Sequence, residues 1–435
     1  MAGPVVIVGA GPVGLTAALE LARFDVPSVV LEAKPGLSAE GSRAIVLARH
    51  TLETFDRLGA GAGIVDRGVV LDRARTYFRD RELFCIEFPS SAEGEFPRFM
   101  NLQQTHTERA LLERVRATGG VEVRFGTAVS SLSELDSGSF VIACDGARST
   151  IRELLGIGFP GKSFADRFLI ADIRAELPFP NERRFFFDPP SNPGRQVLIH
   201  PQPDREWRID WQVPPSNNAA QEQASGRLDE RIRALVGAIP YELAWLTTYR
   251  FHQRLAERFR VGRNFLAGDA AHLMSVFGAR GLNSGIEDAV NLAWKVAFVW
   301  HGWAPAALLD TYERERRPAA QENLKVTGAT MRFMAPPTRA HRLVRNAILR
   351  GSVHARAVRK LVNSGHLAEP AVYGAARPAP AGLASEPIDG VHPSFRIARD
   401  GGSTLVIRPD GYVVAELTNP RAAAVRAAVE SALHG

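Results

Sequence analysis

The chain has 435 residues, 45% of them apolar, and a formal charge of +6, enough length to bury a large core in two or three domains. Its basic excess is arginine scattered along the chain, with lysine only at positions 34, 162, 295, 325 and 360, so no stripe or tail marks a nucleic-acid surface. Two distant cysteines, Cys85 and Cys144, with no CxxC and no His/Cys cluster, argue against a disulfide framework, a metal site and thiol redox chemistry. Both read as core positions.

The start, MAGPVVIVGAGPVGL, has no basic n-region and runs straight into a strand pattern, so a cytoplasmic protein is expected. Residues 4–9 (PVVIVG) read as a buried parallel strand, 15–24 as a helix and 27–32 (PSVVLE) as a second strand, a βαβ unit. Its turn, Gly9-Ala10-Gly11-Pro12-Val13-Gly14, is a GxGxxG at the junction of strand and helix, and Glu32 follows Gly11 by 21 residues. That is a dinucleotide fingerprint in its proper context. Gly9 permits the tight turn, Gly11 lets the backbone approach a pyrophosphate, and Gly14 lets helix and strand pack closely. The carboxylate of Glu32, with Ala33 after it, suits an adenosine ribose and repels a 2′-phosphate, which points to FAD or NAD. GAGAG at 59–63 follows a helical stretch and reads as a helix exit.

A helix start is expected at Gln104, with Glu108 one turn on. A strand (139–144) then ends in Asp145-Gly146-Ala147-Arg148-Ser149. ERRFFFDPP (182–190), RQVLIHPQP (195–203) and EWRIDWQVPP (206–215) read as antiparallel strands, joined by the loop-rich region 70–99. Trp207 and Trp211 share one strand face, with packing the expected role. Helix returns over 217–239. RNFLAGD (263–269) is a further strand running into Gly268-Asp269, and Ser284 with Glu287 reads as a capping box opening an amphipathic helix. That helix is very apolar over 289–308, yet Asn291, Lys295 and Pro305 mark it as buried, not membrane-spanning. After PAPAGLASEP (378–387) the chain ends in a Pro-Asp-Gly hairpin and a helix.

GxGxxG with Glu32, DGARS at 145–149 and GDAAH at 268–272, in this order, resemble the three motifs of the FAD-dependent aromatic hydroxylases, the para-hydroxybenzoate and phenol hydroxylase-like flavoprotein monooxygenases. SRA at 42–44 and Gln104-x-x-x-Glu108 agree with it. The resemblance implies an α/β fold: a Rossmann-like FAD-binding domain (1–70, 100–160 and 260–375), an inserted antiparallel substrate sheet (71–99 and 161–259), a linker (376–387) and a short tail (388–435), a remnant of a thioredoxin-like domain. It implies that Gly9, Gly11, Pro12, Val13, Gly14, Glu32 and Ala33 hold the adenosine diphosphate, Arg43 lies by the pyrophosphate or flavin, and Gln104 meets the ribityl chain. Asp145 and Arg148 would serve FAD and the nicotinamide, and Gly268 and Asp269 the ribityl end. Gly281, Leu282 and Asn283 would face the flavin pyrimidine edge, where a helix N-terminus favours negative charge.

The activity so implied is hydroxylation of a small phenol- or polyketide-like aromatic substrate by O2 through a flavin C4a-hydroperoxide. NADPH or NADH is a transient co-substrate, since no second fingerprint is present, and no metal is involved. A homodimer fits this reading. Other flavin chemistry on the same scaffold (Baeyer–Villiger insertion, epoxidation, non-oxygenating oxidoreduction) and an FAD-binding protein without catalysis stay open. Val276 and Ala279-Arg280 depart from the family's common Pro and Gly-Gln. His272 reads as structural, and no residue is marked as a catalytic base.

Overall fold

The computed structural model describes residues 3–37, 44–89, 95–135, 138–275, 277–336, 338–380 and 383–434. One six-stranded sheet runs, edge to edge, Arg260–Val261, Asn264–Leu266, Val141–Ala143, Val5–Val8, Ser28–Glu32, Val121–Phe125. Its pairs are parallel except the first, an edge hairpin. The central strands are covered on both faces, which demands the continuous apolar runs seen in the sequence. The helices Pro12–Ala22 and Arg280–Trp300 pack on one another, and both feed the largest core.

A second sheet of eight strands is ordered His272–Leu273, Glu242–Leu255, Gly161–Arg174, Glu206–Val213, Gln196–Pro201, Glu182–Phe187, Arg73–Phe78, Arg81–Glu87. It is antiparallel except where Glu182–Phe187 runs parallel to Arg73–Phe78. The three strands expected at 182–215 lie at its centre, and strands from the 70–99 region complete it. One face carries Trp207, Ile209, Trp211 and Val213, buried against Leu228, Ile232 and Val236 of the helix Arg227–Val236. Both tryptophans therefore pack. The opposite face carries Phe168, Ile170, Phe185, Phe187 and Leu198, which meet Phe277, Met331 and Met334. A short sheet of Val46–Ala48, Phe99–Asn101 and Val69–Val70 accompanies the other two.

Several local expectations are corrected. The helix expected to open at Ser284 begins at Arg280, after Ala279 at φ 56; Ser284 and Glu287 form no capping box, because both bond Arg316 instead. Gly59 does end a helix, at φ +76, but Gly61–Val65 is a further short helix. Cys85 and Cys144 are only half-buried.

The C-terminal segment is a five-stranded antiparallel sheet with the helix Ala422–His434, and Arg377–Pro378 and Ser385–Pro387 are its two edge strands. Phe395, Val406, Val425 and Val429 of this segment belong to the main core. Glu315 anchors it by accepting Lys295 Nζ at 2.8 Å and Arg408 Nη1 at 2.6 Å, while Arg408 also pairs with Asp410.

Candidate active site

The carboxyl ends of four parallel strands are laced together by backbone bonds. Ala267 N–H donates to Ala143 O at 2.9 Å, Cys144 N–H to Val8 O at 2.7 Å, and Gly9 N–H to Leu31 O at 2.7 Å. The turns Gly9–Gly14, Asp145–Ser149 and Gly268–Asp269 thus leave the sheet side by side, at the edge where open α/β sheets bind ligands.

The fingerprint glycines differ in what fixes them. Gly9 has φ +107 and a Cβ there would lie 2.4 Å from Cys144 O; on Gly14 it would lie 2.0 Å from Gly9 O. Backbone meets backbone at both. Gly11, at φ −75, has nothing within 4 Å of its Cβ position, so its missing side chain faces open space. Pro12 is the first helical residue, where its missing N–H costs nothing. Val13 ties the parts together, since a Cβ on Gly268 would meet its side chain at 3.0 Å and one on Gly285 at 2.8 Å.

Both helices that point at this edge have uncapped N-termini. Neither Gly11 nor Ala279 supplies a side-chain cap, and neither first turn holds an acidic residue. Their leading N–H groups lack intrahelical partners and carry the positive end of the helix dipole, which suits an anion. Gly281 also faces open space.

Glu32 accepts the Ala10 N–H at 2.9 Å and the Lys34 N–H at 3.0 Å, and Ala33 is exposed beside it. Gln104 receives the Ala44 N–H at 3.4 Å and donates to Glu108 at 2.7 Å. Burial pushes the Glu108 carboxyl up. Asp145 Oδ2 accepts the Ile151 N–H at 3.1 Å, while its Oδ1 is buried without a partner among the described residues. Asp269 is half-buried on the turn that ends its strand, whereas Arg148 is exposed. Arg43 and Val276 lie outside the described residues.

Asn283 is at the expected place, but its side chain is fully engaged by protein: Oδ1 accepts Ala48 N–H at 2.9 Å and Thr51 Oγ1 at 2.7 Å, and Nδ2 donates to Val46 O at 3.0 Å. Only its backbone, with Gly281 and Leu282, is left for a ligand. Arg280 turns toward Asn323 and the carbonyls of His366 and Leu367.

Three supporting residues lie outside the motifs read from the sequence. Asp288, sealed from solvent, accepts Gly268 N–H at 3.0 Å, His272 Nε2 at 2.6 Å and Arg316 Nε at 2.6 Å. Against the cost of burial, His272 and Arg316 hold its carboxyl below the usual range. Arg316 also donates to Tyr373 Oη at 2.6 Å and Ser284 O at 3.0 Å. Arg152 donates to Ala270 O at 3.0 Å and Ala147 O at 3.2 Å, clamping the second and third turns together. Its place one helical turn after Arg148 was the available signal. His272 is structural.

Residues 3–327 match a family model described as "FAD binding domain". The chain is 35% identical over 354 residues to a flavin-dependent monooxygenase of Mycobacteroides abscessus, covering 73% of this chain and 71% of that one. The chain belongs to the FAD-dependent flavoprotein monooxygenases. It is also 31% identical to a 3-(3-hydroxy-phenyl)propionate/3-hydroxycinnamic acid hydroxylase of Mycolicibacterium smegmatis, covering 80% of this chain but 64% of that one. Among solved structures it resembles p-nitrophenol 4-monooxygenase from Pseudomonas putida (TM-score 0.69, 27% identity, 83% and 96% of the two chains). It equally resembles the Diels-Alderase of pyrroindomycin biosynthesis (TM-score 0.71, 27% identity, 98% of both chains). FAD fits the residues present: open space over Gly11 for phosphate, two uncapped helix ends, and an unpartnered buried Asp145 oxygen between them.

Proposed function

We propose that this monooxygenase hydroxylates a phenol- or polyketide-like aromatic substrate, with FAD as resident cofactor, NADPH or NADH as transient reductant and O2 as co-substrate. The observation that carries this reading is the convergence of three turns on one sheet edge, open at Gly11 and unpartnered at Asp145 Oδ1. Two similar proteins are named for phenolic substrates. On this reading the Gly9–Gly14 turn takes the pyrophosphate, Glu32 and Ala33 the adenosine ribose, and Gln104 with Arg43 the ribityl side. Asp145 and Arg148 serve FAD and the nicotinamide, Gly268 and Asp269 the ribityl end, and the backbone of Gly281, Leu282 and Asn283 the pyrimidine edge.

Bound FAD supplies the oxygen-transfer chemistry. The chain's part is electrostatic and steric. The N-terminus of the helix Arg280–Trp300 stabilises negative charge at the flavin edge, and the phenylalanine-rich sheet face excludes water that would divert reducing power to hydrogen peroxide. The test is a flavin spectrum of the purified protein, then NADH and NADPH oxidation with a panel of phenols, weighing hydroxylated product against peroxide. Absence of bound flavin contradicts the reading.

A second reading has one specific support. The Diels-Alderase similarity extends over 98% of both chains, so a non-oxygenating role on the same FAD scaffold is the alternative. Substrate conversion that proceeds without NAD(P)H and O2 favours it.

A further inference from the structure

The phenylalanine-rich sheet face also carries a polar cluster that the cofactor does not use. Side chains alternate along strands, and the register sets His200 opposite Arg208, Arg208 opposite Asp172 and Asp172 opposite Trp245 in one row. The next row is Phe185, Leu198, Asp210, Ile170 and Thr247. This face is tied to the segment that opens the helix Arg280–Trp300. Phe277 packs 5.4 Å from Phe168 and 6.2 Å from Phe185, ring centre to ring centre. Asn101 donates to Pro201 O at 2.7 Å and pairs with Val46, whose carbonyl accepts Asn283.

Charge and bonding capacity in the cluster are unbalanced. Arg208 is matched by Asp172, with two bonds of 2.7 Å. Arg183, 5% exposed, donates to Ser364 O at 2.8 Å but belongs to no ion pair among the described residues. Asp210 Oδ1, His200 Nδ1, Asn101 Oδ1 and both polar atoms of the Gln202 side chain are buried without hydrogen-bond partners among the described residues. Unpaired buried polar groups are costly, and a polar ligand on this face would relieve that cost.

We propose that Asp210 accepts the proton of a substrate phenol and that Arg183 holds the oxyanion left behind. This rests on the hydroxylase reading above. The phenol O–H bond breaks, an O–H bond forms on Asp210, and the electron pair stays on the substrate oxygen. Negative charge moves from Asp210 to the substrate, so Arg183 faces one anion throughout. The anion enriches the ring in electrons for attack on electrophilic oxygen, and Asp210 returns the proton as the product recovers its hydroxyl. Arg208 from its own strand, Asp172 from the adjoining strand and Arg183 from two strands away act on the Asp210 carboxyl, and His200 shares this sheet face from the strand between Asp210 and Arg183. Burial, with Asp172 adding to it, pushes the Asp210 carboxyl up to about 7 against the pull of Arg208 and Arg183, which suits a base near neutral pH. Burial and the two arginines keep His200 neutral, so it offers a hydrogen bond and no competing charge.

The test uses the flavin-loaded protein and p-nitrophenol, whose anion has its own visible band. Bound probe in the wild type should ionise at lower pH than free probe. Near pH 8 the wild type should take up one proton from the buffer as it binds the anion, whereas Asp210→Asn, retaining flavin, should bind the anion with no proton uptake, and Arg183→Lys should weaken binding of the anion about tenfold. Equal proton uptake by flavin-loaded Asp210→Asn and the wild type overturns the proposal. Should that variant fail to hold flavin, Arg183→Lys decides alone, unaltered anion binding overturning it. A wild type that holds flavin yet binds neither p-nitrophenol nor 3-(3-hydroxyphenyl)propionate sinks the phenol-hydroxylase reading itself, and this proposal with it.

Discussion

Asp288 accepts the backbone N–H of Gly268 at 3.0 Å, fastening the second uncapped helix to the strand end that carries Asp269. The same carboxylate bonds His272 and Arg316, all three side chains being sealed from solvent. Removing one partner of such a buried pair strands the other charge, at about 3–5 kcal/mol. Asp288→Asn is expected to lower the melting temperature and the flavin content together. Normal FAD occupancy in a folded Asp288→Asn protein would show that the helix end is positioned by other contacts.

Gly11 and Gly14 separate ligand space from fold. A Cβ on Gly14 strikes the Gly9 carbonyl at 2.0 Å, whereas one on Gly11 meets nothing within 4 Å. Gly14→Ala should therefore melt early even as apoprotein. Gly11→Ala should melt with the wild-type apoprotein yet bind FAD at least tenfold more weakly, because its methyl group occupies phosphate space. Titration of apoprotein with FAD, read by fluorescence quenching, distinguishes the two.

Arg152 joins two turns that are 118 residues from its partner at one end and only five at the other. Arg152→Met keeps the aliphatic bulk near Phe159, over whose ring the guanidinium sits at 4.0 Å, but leaves two carbonyls unbonded. The expected loss is about 2 kcal/mol, with flavin retention falling in gel filtration. Equal denaturation midpoints for variant and wild type would remove the clamp from the account.

The pH dependence of stability carries a signature of Asp210. Its folded carboxyl is raised to about 7, against about 4 in an unfolded chain. The folded state therefore holds the proton more tightly, and stability falls as pH rises from about 4 to about 7, then levels. Asp210→Asn lacks that penalty. Its gain over wild type should be absent near pH 4 and reach the order of 4 kcal/mol above pH 7, measured by urea denaturation across the range. A gain that does not vary with pH would mean the carboxyl is not so perturbed.

The cofactor edge was legible because its requirements are local. Gly14 answers to the Gly9 carbonyl within one βαβ unit, Gly9 takes a left-handed turn at φ +107, and each motif closes a strand of apolar residues, although the Cys144 carbonyl that crowds Gly9 comes from far along the chain. What was not legible depends on chain far away. Arg316 and Arg152 look like any other arginine until their partners, 28 and 118 residues distant, are brought to them. The helix starts four residues before the Ser284 capping-box pattern predicts, because Ala279 takes a left-handed backbone at φ 56, which an alanine does not advertise. The long strands Gly161–Arg174 and Glu242–Leu255 carry no clean alternation, and their pairing shifts register after Ser163 and after Asp172. Asp210 and Arg183 gain meaning only from cross-strand register.

The most direct measurement is mass spectrometry of the product formed under labelled dioxygen, 18O2, by flavin-loaded protein with NAD(P)H and a phenol that it binds. The expected result is one 18O atom per product, with one NAD(P)H consumed for each. Protein without flavin, product without label, or NAD(P)H oxidation that yields only hydrogen peroxide would contradict the monooxygenase account.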